Sequence, residues 1–365
     1  MNTAVLIRQA TPEEVSVWDD IVSRFDNYRI FHKRSWIKYI EAFSGAQPLY
    51  LLFDKGGEII ACLPGFLVKV AWLRIFASPL EGWQTGSMGP VFDPARISTR
   101  EIFNALIPFL ERQYSIHHME LACAHLDHGV MEDFGYRGER LFTYRIRLFP
   151  GEEERAMRNI KSKTRNQLRK AIKLGLITKI ESEESFVDEF YDQAREVFAR
   201  RGNIVPFSRK RTLQLFQYMK DAGNLLAISI RMPDDGTRIA TGMFLIEGPE
   251  LYLWNWTHRT RYRWYCPTEL LTWMAMQKGM EAGCTTFDMA GSGDAKAKFG
   301  AVPDETVYRW IRSRYQWLAS LRTMARKVFK WQQSLRGRIV RRRIFGMQEQ
   351  FVGREATERL EDSMN

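Results

Sequence analysis

The sequence predicts an α/β (α+β) chain of two like-built domains followed by a basic helical tail. Three observations carry that expectation. At 365 residues the chain is long for a single core, and two domains are the natural count for that length. The order helix, helix, hairpin, strand, helix, strand can be read twice, as in a duplicated domain rather than a short-period repeat. Beyond Trp317 the pattern changes to one amphipathic helix. The expected divisions are residues 1–150, 151–315 and 316–365.

Composition narrows the class. An apolar fraction of 45% with 13% aromatic residues excludes wholesale disorder. Cys62, Cys123, Cys266 and Cys284 lie far apart with no CxxC, the pattern of a reduced, cytosolic protein rather than a disulfide scaffold. The opening MNTAVLIRQATPEEV has too short an apolar run for a signal peptide. The greasiest stretch, Ile59 to Leu80, is broken by Pro64, Lys69 and Arg74 and falls short of a membrane span. A formal charge of +11 points to an anionic partner, and where the charge sits matters more than its sum.

In the first half, TPEE at Thr11 places an N-cap and acidic first-turn residues before a helix to Phe25. A second helix is expected over Phe31 to Phe43, with Trp36, Ile37, Ile40 and Phe43 on one side. Tyr50 to Phe53 and Glu58 to Lys69 form a hairpin across Lys55-Gly56-Gly57. Ser78 to Pro94, rich in glycine and proline, is a loop around Trp83. A helix over Ile102 to Tyr114 and strands at Met119 to Ala124 and Thr143 to Leu148 complete the unit. His117, His118, His125 and His128 cluster near Cys123, but no Cys or carboxylate pair stands at a familiar ligand spacing, so no metal is expected.

The second half opens on RAMRNIKSKTRNQLRKAIKLG, residues 155–175, a strongly basic helix ending at Gly175. A start near Ser162 puts Arg165, Arg169 and Lys173 on neighbouring turns of one face. A solvated charged face usually carries acids for i,i+4 pairing, and none occurs between Arg155 and Lys179, which favours an anionic ligand. Helices over Glu184 to Arg200 and Ser208 to Ala222, then strands at Leu225 to Met232 and Ile239 to Glu247, lead to the organising stretch, Leu251 to Gly300. There an aromatic strand, Leu251 to Trp256, feeds a loop bearing Arg259, Arg261 and Arg263, with Tyr262, Trp264 and Tyr265 placed to stack on a planar ligand. Pro267 opens a helix stopped by Gly283, Thr285 to Met289 is a short strand, and Gly291 and Gly293 bend the chain after it. A basic loop before a helix N-terminus suits phosphate. An ordinary β-α-β core with surface arginines fits the same spacing, and both readings stay open.

In the tail, apolar residues at Trp317, Leu321, Met324, Val328, Trp331, Leu335 and Ile339 make one helical stripe. The other faces carry Arg322, Arg326, Lys327, Lys330, Arg336, Arg338 and Arg341 to Arg343, with no acid before Glu349. Residues 317–345 thus suit an anionic bilayer surface, or a stripe packed on the core with its charge in water.

The order of elements and two motifs resemble the GNAT superfamily, and within it the FemAB-like acyl- and aminoacyltransferases. SKTRNQLRKAIKLG is similar to the family's arginine, Arg-Lys-Ala and glycine pattern, and FDMAGSGDAKAKFG to its Phe-Asp strand followed by a lysine three residues before Phe-Gly. Arg201-Gly202 and Cys266-Pro267 to Leu271 also fit. The chain departs in carrying Ala295 where the family often has an aromatic, and Arg259 to Thr268 where single-domain relatives have a glycine-rich pyrophosphate loop. The resemblance implies two tandem GNAT-like domains, the acyl-CoA N-acyltransferase fold, with the active site in the second.

It also implies acyl transfer to an amine in construction of a bacterial cell envelope or exopolysaccharide. No Ser-His-Asp or Cys-His arrangement offers a covalent route. Lys296 is expected to stabilise developing negative charge or hold an acceptor phosphate, and Asp288 to orient the amine or take its proton, unless it is a capped turn residue. Arg165, Arg169, Lys298, Trp254 and Tyr262 are expected to bind a phosphorylated substrate, and Arg259, Arg261, Pro267 and Thr268 the donor's pyrophosphate. The donor is expected to be acyl-CoA (acetyl-CoA), and the acceptor a small-molecule or lipid-linked amino sugar met in the cytoplasm at the inner face of the membrane. Two alternatives remain: a transferase fed by aminoacyl-tRNA, acting on a peptidoglycan precursor, and a non-catalytic protein whose basic helices bind RNA or a nucleotide. No recognised nucleic-acid module supports the latter.

Overall fold

The structure, a computed structural model, describes residues 4–339 other than Ser292, Gln316, Ala319, Ala325 and Lys330. In chain order the first half contributes β1 (Leu6–Gln9), α1 (Pro12–Ser16), α2 (Trp18–Val22), α3 (Arg34–Ser44), β2 (Gln47–Lys55), β3 (Glu58–Val70), β4 (Leu73–Ser78), β5 (Val91–Phe92), α4 (Thr99–Tyr114), β6 (His118–Cys123), α5 (His128–Asp133) and β7 (Arg137–Arg140). There follow β8 (Thr143–Arg147), α6 (Glu153–Asn159), α7 (Ser162–Lys173), β9 (Ile177–Ile180), α8 (Ser185–Arg200), α9 (Arg209–Asp221), β10 (Leu225–Arg231), β11 (Arg238–Glu247), β12 (Glu250–His258), α10 (Pro267–Glu281), β13 (Thr286–Asp288), β14 (Val302–Asp304) and β15 (Tyr308–Ser313).

Local chemistry explains the helix limits. Thr11 and Glu14 cap α1 reciprocally, and Ser98 and Glu101 do the same for α4. The single helix expected to Phe25 is interrupted at Val17, which leaves helical geometry, so that Trp18, Ile21 and Val22 can turn into the core. The basic helix is likewise two helices. Ile160 adopts extended geometry between α6 and α7 and is itself buried in the core, an anchor worth more than continuing the helix. Gly175 ends the second piece at φ +71°, a conformation that glycine adopts without strain.

Two sheets result. One runs β1-β2-β3-β4-β6-β15-β7, with β5 also on β3, and the other runs β14-β8-β13-β12-β11-β10-β9. The sheets do not divide the chain at residue 150. β8 already belongs to the second sheet, and β15 returns to the first, antiparallel to both β6 and β7. Burial of Trp310 against the first sheet's core explains the return.

Three apolar cores fill the layers. The outer face of the first sheet packs on α4 and α5 through Phe103, Leu106 and Met131. The outer face of the second packs on α7 and α10 through Leu168, Leu271 and Met276. Between the sheets lies a core drawn from both halves, in which Trp18, Trp36 and Tyr39 meet Phe186, Phe190, Phe216 and Trp254. Arg211 of α9 crosses the same seam, donating to the Tyr39 hydroxyl at 2.9 Å and the Trp83 carbonyl at 2.7 Å. No helix among the described residues is long and apolar enough to cross a membrane.

Trp36 is fully buried, edge-on to Phe31 and Tyr39, with its indole N–H donating to Thr85 at 3.2 Å. Trp36→Ala is expected to cost about 3–5 kcal/mol and to lower one cooperative unfolding transition. Two separate transitions in denaturant, only one of them shifted, would contradict a shared core.

Candidate active site

The site begins with a defect in β12. Leu253 and Asn255 pair with the consecutive residues Phe244 and Met243 of β11, so Trp254 is an extra residue, a bulge. A bulge bends its strand, and the parallel ladder to β13 covers only Glu250, Leu251 and Tyr252, opposite Thr286, Phe287 and Asp288. Past that point β12 continues to His258 while β13 stops, leaving a wedge between the strands. Alternation sends Phe287 into the outer core and leaves Asp288 on the face towards the first sheet.

Asp288 borders a cavity of about 380 Å³ between the two halves. The first half supplies Arg29, Phe31 and the loop Gln84–Ser87, and the second supplies Arg145, Tyr252, Trp254 and Ala290-Gly291, with Arg309 on the returning strand. Asp288 Oδ1 accepts from the Thr143 hydroxyl and from the Ala290 N–H at 2.8 Å, and Oδ2 lies 3.5 Å from the Arg145 guanidinium. Arg145 also faces Asp304 at 2.8 Å and Glu250 at 3.6 Å, and Arg29 ion-pairs with Glu250. Burial lowers the pKa of Arg309, opposed by Glu120 and Glu81. Among the described residues, Gln84 Oε1, Trp254 Nε1 and Arg309 Nε are buried without a hydrogen-bond partner, and all three residues line this cavity. Unpaired buried polar atoms cost about 1–3 kcal/mol each, so these groups give the cavity wall polar atoms able to meet water or a polar ligand.

Lys296 lies in the short 3-10 turn Asp294–Phe299. Its ammonium donates to the carbonyls of Ala290 and, at 3.0 Å, Gly291, the same two residues that wall the cavity beside Asp288. Burial draws its pKa down from 10.5 to about 8, with the Asp288 charge opposing the shift. The bend that permits this carries Ala290 at φ +53° and Gly291 at φ +41°. Asp288 and Lys296 are therefore brought together. Trp254 joins them on the cavity wall.

The remaining expected site residues lie elsewhere. Because α7 packs on the second sheet's outer face, Arg165 and Arg169 are on the far side of that sheet from Asp288. Arg165 donates to the carbonyls of Arg158 and Ile160, and Arg169 to Asn166, beside Trp273 and the acids Glu153 and Glu154. The spacing correctly placed both on one helical face, but a helix face does not reveal which sheet face it covers. Lys298 is ion-paired with Glu269 at 2.7 Å. Arg259 is ion-paired with Glu189, Asp192 and Glu196 of α8, which ties the loop to that helix. Arg261 is exposed over Tyr262, which packs near Tyr265 at 5.9 Å. Pro267 and Thr268 begin α10 after Cys266 in left-handed geometry, with Thr268 Oγ1 3.5 Å from His258 Nδ1 at the end of β12. The sequence reading missed Arg29, Thr143, Arg145 and Arg309. The available signal was an arginine set between aromatic or apolar strand residues, as in Tyr144-Arg145-Ile146 and Tyr308-Arg309-Trp310.

The chain is thus an α/β protein of two sheets, each with helices on its outer face, in which a bulged strand parts from its parallel neighbour. The profile of the Acetyltransferase (GNAT) domain matches residues 158–298. No curated protein sequence is a significant match. The crystal structure of FemX superposes with a TM-score of 0.68 at 11% identity, covering 83% of this chain and 96% of that one. The tandem GNAT protein from the clavulanic acid biosynthesis pathway, solved without AcCoA, gives 0.53 at 12% identity over 85% of this chain and 98% of its own. The C-terminal domain of a putative lysylphosphatidylglycerol synthetase from Agrobacterium fabrum gives 0.53 at 14% identity over 87% and 96%. Residues 158–298 thus match a GNAT acetyltransferase domain, and the fold of the chain as a whole is like that of FemX and of the tandem GNAT protein.

The depressed Lys296 pKa has a sign. Unfolded, this lysine keeps its proton up to about 10.5, and folded it releases it near 8, so its charged form opposes folding below 8 and the penalty fades as pH rises between those values. Wild type is expected to gain stability relative to Lys296→Met from pH 8 to 10.5. A pH-independent difference in denaturant unfolding would contradict the buried setting.

Proposed function

We propose that the chain is an N-acyltransferase that moves an acyl group, most simply acetyl from acetyl-CoA, onto an amine of a cell-envelope or exopolysaccharide precursor. The observation that carries this reading is Asp288 on the wall of an arginine-lined cavity, next to the wedge between β12 and β13. The wedge supports a donor lying along the unpaired side of β12, with its phosphates towards the start of α10, where Thr268 and free backbone N–H groups meet them. The acceptor occupies the cavity, its anionic part facing Arg29, Arg145 and Arg309.

In the reaction, Asp288 takes the proton from the attacking amine as nitrogen bonds to the acyl carbon. The resulting oxyanion is stabilised by the Lys296 ammonium at the Ala290–Gly291 bend. Collapse breaks the carbon–sulfur bond, and the departing coenzyme A thiolate takes up the proton held by Asp288 and leaves as the thiol, restoring the carboxylate. Thr143 and the Ala290 N–H hold the carboxylate in place for the first step.

A second reading is an aminoacyl-tRNA donor. It is favoured by Lys161, Lys163 and Lys173, exposed at the start and end of α7 without acids of their own on that helix. Acetyl-CoA should raise the melting temperature of the purified protein if the first reading holds. Stabilisation by charged tRNA alone would reverse the order. Asp288→Asn is expected to lower kcat about 10²–10⁴-fold with the melting temperature near wild type. Turnover within twofold or so of wild type in that variant would remove Asp288 from the chemistry.

A further inference from the structure

The described residues of 317–339 are helical, and the helix sits with its usual faces reversed. Its protein-facing stripe is largely polar. Arg322 bridges Glu120 at 2.6 Å, Glu81 at 2.8 Å and Glu139 at 3.2 Å, and Arg326 meets Glu81 at 3.0 Å and Glu139 at 3.1 Å. Leu318 is buried on the same side. Gly337 completes the stripe, approaching Gly202 so closely that a Cβ there would stand 2.0 Å from the Gly202 carbonyl oxygen. Residues 318, 322, 326 and 337 fall on one side of a 3.6-residue helix, so the opposite side is fixed.

That opposite side carries Trp317, Leu321, Met324, Val328, Trp331 and Leu335, all exposed, with Trp331 at 65% and Met324 at 58%. Burying these side chains on the body would be the ordinary outcome for an amphipathic helix. Here the ion pairs to the first domain hold them outward. The β3–β4 hairpin tip extends the surface, with Trp72, 56% exposed, 5.5 Å from Trp317. Exposed Lys69, Arg314, Lys327, Arg336 and Arg338 border the patch, and no Asp or Glu occurs between Glu305 and Glu349.

We propose that this face docks on an anionic lipid bilayer, its tryptophans and Met324 entering the headgroup–acyl boundary and its bordering cations meeting anionic headgroups. The charge pattern selects this occupant. Two copies placed face to face would set cation against cation, whereas an anionic bilayer meets both the apolar stripe and its rim. The helix lies flat: it is too polar to cross. Docking also places the cavity near the lipid surface, because Glu81 bridges Arg322 of the helix and, at 3.5 Å, Arg309 of the cavity wall. Residues 340–345 of the basic stretch lie outside the described residues.

The test uses the full-length protein and vesicles of phosphatidylcholine with and without phosphatidylglycerol. Cosedimentation should be about tenfold or more stronger with phosphatidylglycerol present and weakened by high salt. Met324→Glu combined with Trp331→Glu should remove most of it, leaving the melting temperature and acyl transfer to a soluble amine unchanged. Failure of binding with intact acyl transfer would sink this proposal and leave the catalytic one standing. Equal binding of variant and wild type, or a solution dimer that the double variant dissolves, would also overturn it.

Discussion

The site depends on one aromatic contact across the seam: Phe31 of the first half stands edge-on to Tyr252 of the second, ring centroids 4.7 Å apart. Both rings line the cavity, and Tyr252 is the ladder partner of Asp288. Fixing Phe31 therefore fixes how far Arg29 stands from Asp288. Behind Phe31, Trp36 and Tyr39 continue the packing into a core shared by both sheets. A cavity formed between domains normally opens and closes with domain motion. Here a large apolar interface holds its walls, which suits chemistry that needs reacting groups held to within a fraction of an ångström.

Charge in the cavity is balanced but not closed. Arg29 and Arg145 are matched by Glu250, Asp288 and Asp304, while Arg309 is matched from behind by Glu81. Asp288 is oriented by three separate groups, yet it borders open space rather than solid protein. Lys296, in the turn beyond the glycine bend, is partly desolvated by burial. A carboxylate at the end of β13 and an ammonium whose pKa burial lowers thus stand on either side of the Ala290–Gly291 bend.

Much of this could be read in the sequence, for identifiable reasons. Pro267 and Gly283 marked both ends of α10, and the Phe-Asp strand with its downstream lysine led to Asp288 and Lys296. Local signals sufficed there because turn chemistry is local. The position of the α7 arginines was not legible, since periodicity gives a helix its faces but says nothing about which side of a sheet it will cover. The ion pairs of Arg259 were equally out of reach, because its partners, Glu189 to Glu196, are some 60 to 70 residues away in sequence. The bulge at Trp254 and the return of β15 to the first sheet are non-local pairings, which no window of sequence contains.

The central claim is that both halves grip one acceptor at the seam. Hydrogen exchange with and without an amine acceptor, in the presence of acetyl-CoA, tests it most directly. The account predicts simultaneous protection of residues 84–87 in the first half and 288–291 in the second. Protection confined to the outer surface around residues 153–169, with the seam unchanged, would contradict it.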